Sequence, residues 1–123
     1  MNPRFSTETY SPDRLIAGDH PVMTKTVTIK EGEDLKRGAV LGKDGDGKYL
    51  LSLAAASDGS EDPVAILAQD VDASDADTEA GIYEAGEFNE DALTFGDGHD
   101  ADSVRDDLRA LSIYLRKPIS AGD

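Results

Sequence analysis

The sequence predicts a mainly β domain of the α+β class, with one short C-terminal helix and an extended N-terminal arm. Three observations carry this. Apolar residues alternate with polar ones in short runs, as in residues 25–30, the period-two pattern of a half-buried strand. The runs are separated by stretches rich in Gly, Asp, Ser and Pro, at 44–47, 58–63 and 96–98, which is turn chemistry. Only residues 102–111 carry apolar side chains at helical spacing,.

Taken in order, residues 1–22 read as an arm. Pro3, Pro12 and Pro21 recur every nine residues, and proline fixes φ and removes a donor, so long helices and central strands are disfavoured. Phe5, Tyr10, Leu15 and Ile16 are spread through it. A purely solvated linker has no use for them, so they are candidate anchors on a partner. Residues 22–30 predict a strand with Val27 and Ile29 on its buried face. Gly32 ends it. Residues 34–37 predict one helical or 3₁₀ turn with Leu35 as buried anchor. Gly38 bends the chain back into a short strand at 39–41.

Asp44-Gly45-Asp46-Gly47 predicts a hairpin tip, and residues 49–53 its returning strand. Val64 to Leu67 is a continuous apolar run, which marks the central, most buried strand. Residues 70–79 hold five acids in ten and read as an acidic loop. Residues 82–88 form a strand with Gly86 as a bulge site, followed by a turn at 89–92 and a short apolar stretch at 93–95. In the helix at 102–111, Val104, Leu108 and Leu111 share one face, and Asp100 or Asp102 is the N-cap. Ile113 and Leu115 then alternate with Tyr114 and Arg116 as a last strand, which Pro118 ends. The domain therefore spans 23–118, with a tail at 119–123.

Composition bounds the function. A chain of 123 residues holds one domain of ordinary size. Leu, Ile, Val and Phe make up 26 of them, close to the border below which highly charged chains fail to fold. The core is therefore thin, and self-association or a partner completes it. Twelve basic residues face 26 acidic ones, a net charge of −14. Bare nucleic acid and anionic membranes are thus unfavourable partners. No apolar run approaches a bilayer span, and the opening Met-Asn-Pro-Arg-Phe-Ser lacks the apolar stretch of a secretory signal. The absence of cysteine removes disulfides, thiolate metal sites and cysteine nucleophiles.

Chemical motifs fail on spacing. A calcium loop needs Gly at position 6 and Glu at position 12; from Asp44 these are Tyr49 and Ala55, and from Asp70 they are Asp75 and Gly81. His99 has no second histidine near it in sequence, so it reads as a solvated loop residue rather than a metal ligand. The G-x-S-x-G and Walker patterns are absent. The segment 26–42 resembles biotinyl and lipoyl carrier domains, but those present a modifiable lysine in a set hairpin context, and Lys43-Asp44 and Gly47-Lys48-Tyr49 do not match it. No catalytic residue, cofactor or metal is expected.

Four stretches resemble the head decoration proteins of tailed viruses, the lambda-type capsid-stabilising family. They are residues 62–68 (Asp-Pro-Val-Ala-Ile-Leu-Ala), 70–74 (Asp-Val-Asp-Ala-Ser), 86–93 (Gly-Glu-Phe-Asn-Glu-Asp-Ala-Leu) and the ending Leu108…Ile113-Tyr114-Leu115. The likeness covers roughly residues 22–118, and the Gly-Glu-Phe-Asn segment is its most specific part. The resemblance implies a compact β-tulip fold and a non-enzymatic virion protein. It also implies homotrimers on the outer capsid surface at three-fold positions, assembled in the host cytoplasm, with the major capsid protein as partner. There they cement an expanded icosahedral shell against internal DNA pressure. It implies an arm that orders on the shell, with Phe5, Tyr10, Leu15 and Ile16 as its anchors. The alternative is a carrier-type or ligand-binding β-barrel module of a cellular complex. The chain departs from the family in its acid excess. Asp outnumbers Glu 18 to 8 and Lys is only six, a balance suited either to concentrated salt and a halophilic, haloarchaeal host or to an acidic bacteriophage protein that avoids sticking to packaged DNA.

Overall fold

The computed structural model describes residues 15–17 and 21–117. Eight strands follow in chain order: β1 (Met23–Ile29), β2 (Glu33–Leu35), β3 (Val40–Lys43), β4 (Tyr49–Leu51), β5 (Pro63–Leu67), β6 (Val71–Ala73), β7 (Thr78–Asn89) and β8 (Ile113–Arg116). The helix α1 (Ala101–Arg109) lies between β7 and β8, after a 3₁₀ turn at Glu90–Ala92. The main sheet runs β1-β4-β3-β5-β7-β8, and β1 also pairs with β7. Five strands thus close into a small barrel, and β8 extends it alongside the end of β7. The fold is mainly β with one short helix, as the alternation and turn punctuation predicted.

β7 organises the molecule. Its first half pairs antiparallel with β1, from Thr78 opposite Ile29 to Ala85 opposite Met23. Its last four residues pair parallel with β8. The register slips by one residue at Glu84, between the pairs Thr24–Tyr83 and Met23–Ala85. That is the bulge, two residues before the glycine expected to make it. Gly86 serves another need: its φ is 144° and a Cβ there would lie 2.9 Å from Val22 and 3.0 Å from the Phe88 ring.

Two apolar clusters stabilise the sheet, one on each side. Ile29, Leu41, Ala65, Leu67 and Ile82 belong to the first. Val40, Ile66, Tyr83, Phe88 and Ile113 belong to the second, which Val104 and Leu108 of α1 cover. Neighbours in sequence alternate between the two: Val40 and Leu41, Ile66 and Leu67, Ile82 and Tyr83. This is why 64–67 reads as an unbroken apolar run. Successive side chains point to opposite faces, and in β5 both faces are buried.

Three local expectations need correction. Residues 34–37 are not a helical turn, and 70–79 is not all loop. Glu33–Leu35 and Val71–Ala73 pair antiparallel as β2 and β6. Leu35 is indeed buried, but as a strand residue packed with Val71 and Ala73. Hydrogen bonds between the segments hold the pairing: the Arg37 amide donates to Asp70 at 2.9 Å and the Glu31 amide to Asp77 at 2.8 Å. Long-range partners here override the local preference of an acidic stretch. The helix, finally, starts at Ala101 with Asp100 as N-cap in a reciprocal capping box with Ser103, and ends at Arg109. Ser112 takes a φ of 70° and turns the chain into β8. Leu111 therefore lies beyond the helix and is 44% exposed, whereas Val104 and Leu108 are fully buried.

Candidate interaction surface

Residues 15–17 of the arm meet the domain at the end of β7. The Ala17 amide donates to the Glu87 carbonyl and the Asn89 amide to the Leu15 carbonyl, both at 2.8 Å. Ile16 thus bridges Phe88 antiparallel, while Leu115 of β8 pairs with Phe88 in register. A strand has two edges, so Phe88 is flanked by the arm on one and β8 on the other. Leu15 packs into the second cluster at 2% exposure. Its side chain belongs to the domain's own core, and sequence spacing alone could not distinguish that from a docking anchor. Ile16 is 41% exposed. Phe5 and Tyr10 lie outside the described residues.

The exposed apolar residues converge on the same place. Among the described residues, the large exposed ones are Ile16, Val22, Met23, Leu53 and Leu111. Met23 pairs with Ala85, Val22 lies against Gly86, and Ile16 bridges Phe88. Leu111 precedes Ser112, whose carbonyl accepts the Gly86 amide at 3.0 Å. Four of the five therefore surround residues 85–88. Leu53 lies apart, beside Gly96.

The loops at the other sites are structural. His99 is half-buried, not solvated as the sequence suggested. Its Nε2 lies 3.0 Å from the Glu61 carbonyl oxygen and 3.3 Å from Ser52 Oγ. A carbonyl only accepts, so that nitrogen carries the proton. Ser52, fully buried, donates its hydroxyl to the Ser60 carbonyl at 2.7 Å. A Cβ on Gly42 would lie 2.0 Å from that same carbonyl oxygen, so only glycine admits the approach. The hairpin-tip lysines are engaged as well. Lys48 pairs with Asp77 at 2.7 Å, and Lys43 lies over the Tyr49 ring.

Several aspartates do more than solvate the surface. Asp58 and Asp72 each accept from the hydroxyl and the amide of the serine two residues on. These bonds, the hydroxyl first, hold both carboxyls below the usual range. Asp44, at the β3–β4 tip, accepts the Lys48 amide at 3.0 Å and the Asp46 amide at 2.9 Å, and pairs with Lys30 at 3.2 Å. The Lys48 amide is the main cause of its lowered pKa. A depressed native pKa contributes stability above the unfolded value of 3.8, and that contribution is lost as pH falls through the native one. Asp44→Asn should therefore lower the unfolding midpoint at neutral pH. The gap to wild type should close well below pH 3.8; a gap that persists there would show that Asp44 acts without its charge.

No curated protein matches the chain. The family model for the Bacteriophage lambda head decoration protein D matches residues 5–114, which takes in the β barrel, the helix, most of the arm and the collar of apolar residues around the end of β7. The chain belongs to the lambda head decoration protein D family.

Proposed function

We propose that this protein binds the outer surface of an expanded icosahedral capsid as homotrimers and cements the major capsid protein lattice against internal DNA pressure. The observation that carries the reading is the family match over residues 5–114, in a family of structural capsid proteins rather than enzymes. Its location is then the virion, on the outside of a shell assembled in the host cytoplasm. Residues 1–22 form the docking arm. Phe5, Tyr10 and Ile16 supply its apolar contacts, and Leu15 roots it in the domain. Backbone groups between the prolines of the arm add to a sheet of the shell protein. The thin core suits trimers, since a shared interface adds apolar burial that a domain of this size lacks.

Deleting residues 2–14 spares Leu15. The truncated protein should keep the unfolding midpoint of the full chain and lose roughly tenfold or more in affinity for expanded shells, about 1.4 kcal/mol. Unchanged decoration by the truncated protein would remove the arm from the account.

The acid excess points to function in concentrated salt and to a halophilic, haloarchaeal host. A net charge of −14 repels itself in dilute buffer. The Debye length falls from about 10 Å at 0.1 M to about 3 Å at 1 M. The unfolding midpoint of the isolated protein should rise steadily from about 0.1 M to about 3 M KCl. A flat or falling midpoint across that range means that the acidic surface serves solubility alone.

A further inference from the structure

The charge of this protein is distributed along its length. Residues 26–83 carry 13 acidic and five basic residues, and 91–108 carry six acidic and one basic. The described residues of the segments 15–25, 84–90 and 109–117 carry three acidic and four basic residues. The strand pairings place these groups in space. Ile29 of β1 lies opposite Thr78 of β7 and beside Tyr49 of β4. The acidic hairpin 44–48 and the 70–77 segment therefore sit at the Thr78 end. Two ion pairs, Lys30–Asp44 and Lys48–Asp77, mark that end. Asn89 closes the strand at the other, about 35 Å away for twelve extended residues,. The helix packs Val104 and Leu108 into the cluster that holds Phe88, and its Asp106 is matched by Arg109 at 3.0 Å.

Around that second end lie Ile16, Val22, Met23 and Leu111, all between 38% and 58% exposed. Charges beside them are matched locally. Lys25 faces Glu84 at 3.9 Å, and Arg116 bonds Glu87 at 2.7 Å. The same end receives the arm, since Leu15 is bonded to Asn89. Fourteen residues precede Leu15, enough to reach about 45 Å when extended. An apolar, nearly balanced collar at the root of the arm thus contrasts with an acidic hairpin end, where residues 44–48 and 70–77 carry six acidic residues and one basic.

From this juxtaposition we propose that the collar around Ala85–Phe88 is the docking surface for an apolar, uncharged segment of the major capsid protein. The acidic hairpin end points away from the shell. The inference rests on the decoration function above and adds the chemistry of the contact. The partner is not a basic surface attracted to the acids of this chain. Binding comes from apolar burial beside the arm. Attraction between opposite charges weakens with salt, whereas burial of this kind holds or strengthens in excluded salts such as sulfate.

The test uses the full-length protein and expanded shells. Met23→Asp and Leu111→Asp charge the collar, and both sites are exposed, so the fold tolerates them. Asp46→Lys and Asp75→Lys charge the hairpin end with the opposite sign. Unfolding midpoint, mass by light scattering and co-sedimentation with shells are read for each, in low salt and in sodium sulfate. The collar variants should keep midpoint and mass and lose about tenfold or more in shell affinity. The hairpin-end variants should bind like wild type, whose affinity should hold or rise with sulfate. Collar variants that bind normally, or hairpin-end variants that lose binding, overturn the assignment and leave decoration standing. Collar variants that lose trimer mass instead make the collar a contact between copies, which also overturns it. Wild-type protein that fails to bind shells removes the decoration reading, and the collar with it.

Discussion

Phe88→Ala should cost about 3–5 kcal/mol, the range for emptying a well-packed aromatic site. Phe88 has no exposed surface. Its ring lies 5.3 Å from that of Tyr83, tilted at 43°, a geometry that adds to simple burial. Its backbone pairs with the arm on one edge and with β8 on the other. The second cluster gathers Leu15, Val104, Leu108 and Ile113 around it. Ordinary domains are stable by about 5–15 kcal/mol, so a loss of this size should bring the variant near its unfolding threshold. Urea unfolding will show a large drop in midpoint with little change in slope. The Ala17 and Asn89 amides, which join arm and β7, should exchange faster. Phe95→Ala, at the partly buried edge of the same cluster, should cost clearly less. A Phe88→Ala loss below about 1 kcal/mol would mean that α1 and β8 do not form a packed core with β7.

The second large effect belongs to the assembled particle. In the proposed cementing role, each bound copy would shift the shell toward its intact state by mass action. A modest gain per site, repeated over the lattice, would become a large barrier to rupture. Particles lacking this protein should release packaged DNA at lower temperature, and at lower chelator concentration, than decorated ones. Re-adding the full-length protein should restore resistance, and the protein lacking residues 2–14 should not. Equal resistance with and without the protein would leave decoration without cementing.

The legible parts of the sequence were those whose burial follows a simple period. Val27 and Ile29 alternate in β1, and the apolar run of β5 fits a strand buried on both faces. Ile113 and Leu115 mark β8 as plainly. Asp100 was readable as an N-cap because the capping chemistry is local. β2 and β6 were not, because each has three residues and owes its pairing to the other, 38 residues away. Leu111 was placed on the helix by spacing, but Ser112 turns the backbone through φ 70° and leaves it exposed. In the candidate surface, spacing found Leu15 and Ile16 but could not say that one would be buried and the other not. Val22, Met23 and Leu111 had no signal of their own. They come together only because β7 pairs with β1 on one side and with β8 on the other.

Electron cryo-microscopy of particles from the source virus tests the central claim most directly. The account predicts trimeric density on the outside of the expanded shell at three-fold positions, into which the β barrel fits with the arm and the collar toward the shell. Shells of the same virus without such density, or with this protein as isolated two-fold dimers, would contradict it.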